Sequence, residues 1–172
     1  MNKKDLLFVD AETNGLYGSF LTVAIIHTDC FCNEIERYYW GIKPENMIVT
    51  DEWTRNNVLP ILGDYVACEN EYELLERVWA VWEAYRNRSY AVAYVAYPVE
   101  ARLFSECVRH DEANRKFNGP FPLIDLSSIL YTKGLDPLTL PEESSDQADA
   151  KQHNALYDVE QMILTYKKIM EV

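Results

Sequence analysis

Two acidic residues, Asp10 and Glu12, stand one residue apart at the end of the apolar segment 6–9. In a β-strand, alternate side chains point to the same face, so the two carboxylates would lie about 7 Å apart along the backbone. Acidic side chains are depleted in strands, and burying them without a positive charge is unfavourable. A divalent cation would supply that charge. The alternative is a strand that ends at the surface with two solvated acids, and this segment alone leaves both interpretations open.

Three residues further along the chain could join them. Glu100 follows a predicted strand and falls in the first turn of the next helix. If that strand is a parallel neighbour of the first, their carboxyl ends bring Glu100 to Asp10 and Glu12, at the sheet edge where α/β proteins bind ligands. His153 is predicted just before the last helix, with Asp158 one turn inside it and facing the sheet. Each also has a plainer interpretation, as a helix-terminal acid, a surface histidine or a solvated helix residue.

The elements that must position these residues predict one α/β domain over residues 1–172. Apolar and β-branched segments predict five strands, one ending at Asp10 and Glu12 and the others over 20–28, 34–43, 89–97 and 121–125. Helices are predicted over 50–62 with Thr50 as cap, over 71–87, from Pro98 past Val108, from Asp125 or Ser127 through Tyr131, and over 153–170. A loop is predicted over 133–152, before the last helix. Short connections favour an antiparallel opening meander, and strands that alternate with helices should be parallel. The product is a mixed five-stranded sheet with helices on both faces.

Composition limits the kinds of function. The net charge of −12 argues against an extended basic surface for long duplexes, but it allows a few nucleotides to bind where metal ions reverse the local sign. The four cysteines form no zinc-like array, so we expect them to be reduced. No apolar run approaches the roughly 18 to 20 residues of a membrane span, and no signal peptide is recognisable. We therefore expect a cytoplasmic protein that does not associate with membranes.

Taken in order, three segments resemble the motifs of the DnaQ-like (DEDDh) 3′–5′ exonucleases, which have a ribonuclease H-like fold. Residues 10–16, D-A-E-T-N-G-L, are similar to the family's D-x-E-T-x-G-L signature, and residues 153–158, H-N-A-L-Y-D, match its H-x-A-L-x-D pattern. The second motif, usually H-N-x-x-F-D, falls on residues 96–100. There Glu100 replaces the family's Asp, and the His-Asn pair is absent.

The resemblance implies a two-metal phosphodiester hydrolase. Asp10 would bridge two divalent ions, Mg²⁺ or Mn²⁺, which prefer carboxylate oxygens. Glu12 and Asp158 would complete the tighter site, Glu100 would support the second, and His153 would be the general base.

The resemblance also implies a substrate. Thr13, Asn14, Gly15 and Leu16 would form the floor under the 3′-terminal nucleotide, with Leu16 against its base. The product would be a nucleoside 5′-monophosphate released from single-stranded RNA or DNA 3′ ends, with RNA slightly favoured. A homodimer is left open. The alternatives are a catalytically impaired member of the fold that binds nucleic acid or protein, and an endonuclease of related ribonuclease H architecture.

Overall fold

A mixed six-stranded sheet forms the centre of the computed structural model, which describes residues 4–140 and 152–171. The strands are β1 (Asp5–Thr13), β2 (Phe20–Thr28), β3 (Glu34–Ile42), β4 (Val66–Cys68), β5 (Ser89–Ala93) and β6 (Leu123–Asp125). Their order across the sheet is β4-β3-β2-β1-β5-β6. The structure confirms the predicted ribonuclease H-like α/β architecture, and it adds one strand to the predicted five.

The pairing of the strands follows the lengths of their connections. β1, β2 and β3 form an antiparallel meander, whereas β5 lies parallel to β1, with Leu6 opposite Tyr90. β6 is parallel to β5, and β4 is parallel to the end of β3. The unpredicted strand β4 has only three residues at the sheet edge, too few to show an alternating pattern. The predicted strand 89–97 ends early, because residues 94–98 turn at the site, with Val95 at a φ of 49°.

Within residues 4–140 and 152–171, six α-helices surround the sheet: α1 (Glu52–Asn57), α2 (Glu71–Tyr85), α3 (Val99–Arg109), α4 (Glu112–Arg115), α5 (Leu126–Thr132) and α6 (Ala155–Met170). The helix predicted over 50–62 is shorter, and its cap is Asp51 rather than Thr50, since the Asp51 side chain accepts from the backbone N–H of Thr54. A separate 3₁₀ turn at Leu59–Ile61 follows. The one-turn helix α4 was not predicted.

Helices cover both faces of the sheet, as predicted. Alternate residues of β1 divide between two cores: Leu7 packs with Leu103 of α3 on one face, and Leu6 and Phe8 pack with Val159 of α6 on the other. α2 shares the face of α3, and α5 shares the face of α6. The end of β1 therefore lies between α3 and α6.

The predicted loop and the expected lack of a membrane span can be compared with the structure only over the described residues. Residues 133–140 of the loop predicted over 133–152 are described and connect α5 to the site, whereas residues 141–151 lie outside the described part of the chain. Among the described helices, none is long and apolar enough to cross a membrane.

Candidate active site

Three carboxylates from distant parts of the chain meet at the end of β1. Asp10 and Glu12 follow Leu6 and Phe8 at two-residue steps, so they point to the face covered by α6. Asp158, in the first turn of α6, meets them there, and one oxygen from each of the three acids lies within 4.8 Å of the others. The structure thus brings together three of the acids that the sequence analysis named.

Glu100 approaches the same place from the opposite face of the sheet. It lies in the first turn of α3 and is only 3% exposed. Burial, and then the charge of Asp10, raise the pKa of Glu100 well above its usual range, while the backbone N–H of Ala11 donates to its carboxylate. Glu100 is therefore next to the three-acid group without being one of its members. Its carboxylate contacts the backbone of β1 at Ala11.

The electrostatics of this cluster are unfavourable without a cation. Burial, and then the charge of Asp10, also raise the pKa of Glu12 well above its usual range. Carboxylates grouped this closely repel one another, and the buried Glu12 also loses its hydration. An all-oxygen donor set of this kind suits Mg²⁺ or Mn²⁺ rather than the softer metals that cysteine and histidine bind. The residues present therefore fit the divalent ions implied by the sequence resemblance.

His153 is held beside the acids by the segment that starts α6. Its backbone adopts a φ of 72°, and its N–H donates to Asp158 Oδ2 at 3.0 Å. The next residue, Asn154, caps α6, and its side-chain amide donates to the carbonyl oxygens of Ile61 and Leu62. This bracing places His153 in the loop before the helix, as the sequence predicted.

The imidazole of His153 is only partly accessible. Burial lowers its pKa, which favours the neutral form of the ring. The ring of Trp53, on α1, packs edge-on against it with centroids 4.8 Å apart. No sequence pattern indicates this pair, because the contact depends on how α1 docks against the start of α6.

The end of β1 and the turn after it contain the four predicted substrate-binding residues. Thr13, Gly15 and Leu16 line the cleft, with Leu16 61% exposed. Gly15 has a φ of 70°, and its backbone N–H donates to Thr54 Oγ1 at 3.0 Å, so this donor is already used within the protein. A residue with a side chain would be strained at that φ.

Asn14 serves the structure of the turn instead of lining the cleft. Its side-chain oxygen accepts from the backbone N–H groups of Thr50 and Asp51 at 3.0 and 2.9 Å. Its amide nitrogen donates to Thr50 Oγ1. Asn14 therefore fastens the turn to the segment that starts α1, and the structure gives no support for its predicted contact with a substrate.

The cluster lies in a cleft of about 620 Å³ at the carboxyl ends of β1 and β5. Sequence reasoning missed several lining residues that arrive on α1 or on loops: Asp51, Trp53, Tyr94, Val95, Tyr97, Leu138 and Leu140. Composition and periodicity carry no signal for them, because only the folded loops bring them to the cleft. The predicted lining residues are Asp10, Glu12, Thr13, Gly15, Leu16, Glu100, His153 and Asp158.

Comparison with known proteins gives the same fold. No protein-family model matches the sequence, and neither does any curated protein. The zinc-bound complex of E. coli exonuclease I with single-stranded DNA superposes with a TM-score of 0.69 at 18% identity, covering 99% of this chain and 41% of the other. Exonuclease I from Methylocaldum szegediense, described as moderately thermophilic, gives 0.65 at 18% identity, covering 98% and 40%.

The chain has the ribonuclease H-like fold of exonuclease I. The resemblance to DnaQ-like exonucleases is thus confirmed at the level of the fold. The chain spans about two fifths of the length of these solved structures.

Proposed function

We propose that the protein is a metal-dependent 3′–5′ exonuclease that removes nucleoside 5′-monophosphates from single-stranded nucleic acid ends. The observation that carries the proposal is the group formed by Asp10, Glu12 and Asp158, whose oxygens lie within 4.8 Å of one another in an open cleft. Acids grouped this closely around the buried Glu12 destabilise a protein that does not use them. The fold shared with exonuclease I supports a nuclease among the activities that such a cluster could serve.

The carboxylates would hold two divalent ions, Mg²⁺ or Mn²⁺. Asp10 would bridge them, Glu12 and Asp158 would complete one site, and Glu100 would support the other from the α3 side. When bound, such a pair of ions stabilises the attacking and leaving oxygens of an in-line displacement.

His153 is the proposed general base. Because burial lowers the pKa of His153, an imidazole nitrogen is free to accept a proton from the attacking water at neutral pH. The contact with Trp53 and the backbone hydrogen bond to Asp158 limit the positions that the ring can take. A fixed ring orientation matters, because a misplacement of about 1 Å can cost about a hundredfold in rate.

The turn after β1 would receive the 3′-terminal nucleotide. Thr13 and Gly15 form its floor, and the exposed side chain of Leu16 would lie against the terminal base. The hydrogen bonds of Asn14 and Gly15 to the α1 region keep this turn in place before substrate arrives. Such preorganisation reduces the conformational entropy lost on binding.

Glu100 is the departure from the family pattern. Glutamate is one methylene longer than aspartate, and Glu100 is buried at the start of α3. We expect Glu100→Asp to preserve or raise activity if the shorter side chain still reaches its ion. A loss of more than about tenfold would indicate that this cleft is built around the longer acid.

Two substrate questions belong to the same proposal. The solved structure that shares the fold is a complex with single-stranded DNA, whereas the slight preference for RNA expected from the sequence stays a prediction. The departure at Glu100 favours one second candidate, an impaired member of the fold that binds nucleic acid without cleaving it. Tight binding with no cleavage in Mn²⁺ would be its signature.

The test is a cleavage assay with 5′-labelled single-stranded RNA and DNA in Mg²⁺, Mn²⁺ or EDTA. A ladder that shortens from the 3′ end, and only with metal, is expected. Asp10→Ala should abolish it, whereas Asp64→Asn, which changes an exposed acid outside the cleft, should not. Wild-type turnover in Asp10→Ala would refute the metal assignment, and internal cuts would indicate an endonuclease.

A further inference from the structure

Two exposed tyrosines stand together at one side of the cleft, and none of the roles assigned above uses them. Tyr97 lines the cleft and is 73% exposed, and Tyr17 is 69% exposed. A hydrogen bond between their side chains raises the pKa of Tyr17. Tyr17 belongs to the turn after β1, and Tyr97 to the loop after β5, so the pair bridges the two loops that border the carboxylates.

Helix α3 holds both loops in this arrangement. Arg102 Nη2 donates to the carbonyl oxygen of Gly18 at 2.6 Å, and the guanidinium lies 4.2 Å from the centre of the Phe20 ring. Tyr97 precedes Pro98, the N-cap residue of the same helix. Helix α3 therefore contacts or adjoins the backbone on both sides of the pair, whereas the rings themselves stay accessible.

Tyr97 and Trp53 line the same cleft from different elements. Trp53 contacts His153 at the start of α6. Tyr97 belongs to the loop between β5 and α3. A strand whose terminal nucleotide lies against Leu16, on the turn after β1, would extend past the loop after β5, where Tyr97 is exposed.

We propose that Tyr97, braced by Tyr17, stacks on the base of the second nucleotide from the 3′ end. This inference rests on the proposed function, in which the terminal nucleotide occupies the side of Leu16. Aromatic rings stack on any unpaired base, because every base has a π-face, and a base held in a duplex does not offer that face. The pair would thus favour single strands without reading their sequence.

The test removes one base from the substrate and one ring from the enzyme. Wild type and Tyr97→Ala are compared on a single-stranded decamer and on the same decamer with an abasic second nucleotide. Stacking on an aromatic side chain is worth roughly 5- to 150-fold in affinity per base. For wild type, we expect a loss of kcat/KM in this range on the abasic strand, mainly through KM. For Tyr97→Ala, the intact strand should already show the loss, and base removal should add less than twofold.

Matched controls separate stacking from general damage. Tyr131→Ala removes an equally exposed ring on α5, outside the cleft, and should behave as wild type. Tyr97→Phe keeps the ring and should restore most of the affinity. Moving the abasic site to the fifth nucleotide should have little effect on either enzyme.

The outcomes are distinct from those that test the nuclease itself. Fluorescence anisotropy of the same decamers in EDTA measures binding without cleavage, so it applies even if wild type cleaves nothing. Equal losses from the abasic site in wild type and Tyr97→Ala, by rate or by binding, would overturn the stacking assignment. Absence of metal-dependent cleavage in wild type would instead refute the proposed function.

Discussion

Replacing Glu100 with Gln should stabilise the metal-free protein. Glu100 is 3% exposed, and burial together with the charge of Asp10 disfavours its ionised form. Gln has nearly the same shape, and its side-chain oxygen can still accept from the backbone N–H of Ala11. Each unit by which the folded protein raises a pKa corresponds to about 1.4 kcal/mol at a pH above both values. We expect a net gain of about 1–3 kcal/mol at pH 8 after allowing for the buried amide group.

The stabilisation by Glu100→Gln should depend on pH. The pKa of Glu100 is raised above its unfolded value of 4.5, so the folded wild type binds the extra proton and loses stability as pH rises from that value. The advantage of Glu100→Gln should therefore be small near pH 5 and grow toward pH 8. For a domain of this size, the gain corresponds to about 2–10 °C in melting temperature.

Differential scanning fluorimetry in EDTA at pH 5 and pH 8 is the assay. Glu112→Gln, at an exposed acid just beyond the same helix, is the matched control and should shift melting by less than about 1 °C. Saturating Mn²⁺ should narrow the difference between wild type and Glu100→Gln, because the ions compensate the buried charge. A destabilised Glu100→Gln protein at pH 8, or an equal gain at both pH values, would refute the reasoning.

Three further predictions follow from single contacts. Gly15→Ala should lower the melting temperature by about 2–8 °C, since a φ of 70° costs a residue with a side chain about 1–2 kcal/mol; an unchanged melting curve would contradict this. Trp53→Ala should lower kcat about tenfold in steady-state assays by releasing the ring of His153, and Trp53→Phe should recover most of it. Glu76→Gln should lower melting by about 2–4 °C at pH 7, because hydrogen bonds from Arg115 lower the pKa of Glu76. The stability that ionised Glu76 contributes is present above the unfolded pKa of 4.5 and disappears as pH falls through the lowered pKa of the folded protein. If Glu76→Gln lowered the melting temperature as much at pH 3 as at pH 7, the role of the ion pair with Arg115 would be contradicted.

The sequence predicted the acidic cluster because strand and helix periodicity carry it. Asp10 and Glu12 share a face by the two-residue repeat of a strand, and the start of α6 places Asp158 on the apolar side of its helix. The order of the motifs along the chain then indicated that Asp158, near the C-terminal end, belongs with Asp10 and Glu12. The parallel pairing of β1 with β5 followed from the helix between β3 and β5, and it brought Glu100 to the same edge.

What could not be predicted depends on loops and short elements. Trp53 and Tyr97 reach the cleft only because α1 docks beside α6 and residues 94–98 turn back at the end of β5. Asn14 lies inside the recognised motif, yet its side chain braces the turn, and no spacing rule separates such a brace from a substrate contact. The edge strand Val66–Cys68 is too short for its pattern to be recognised.

A comparison of wild type with Asp158→Asn tests the central claim most directly. The measurement is the rate at which each protein releases the 3′-terminal nucleotide from 5′-labelled single-stranded DNA, with Mn²⁺ and with EDTA. The change keeps the shape of the side chain and removes one of the three charges grouped within 4.8 Å. We predict metal-dependent release by wild type and a loss of at least about a hundredfold in Asp158→Asn, whose fold is retained. Release by wild type in EDTA, or an undiminished rate in Asp158→Asn, would contradict the account.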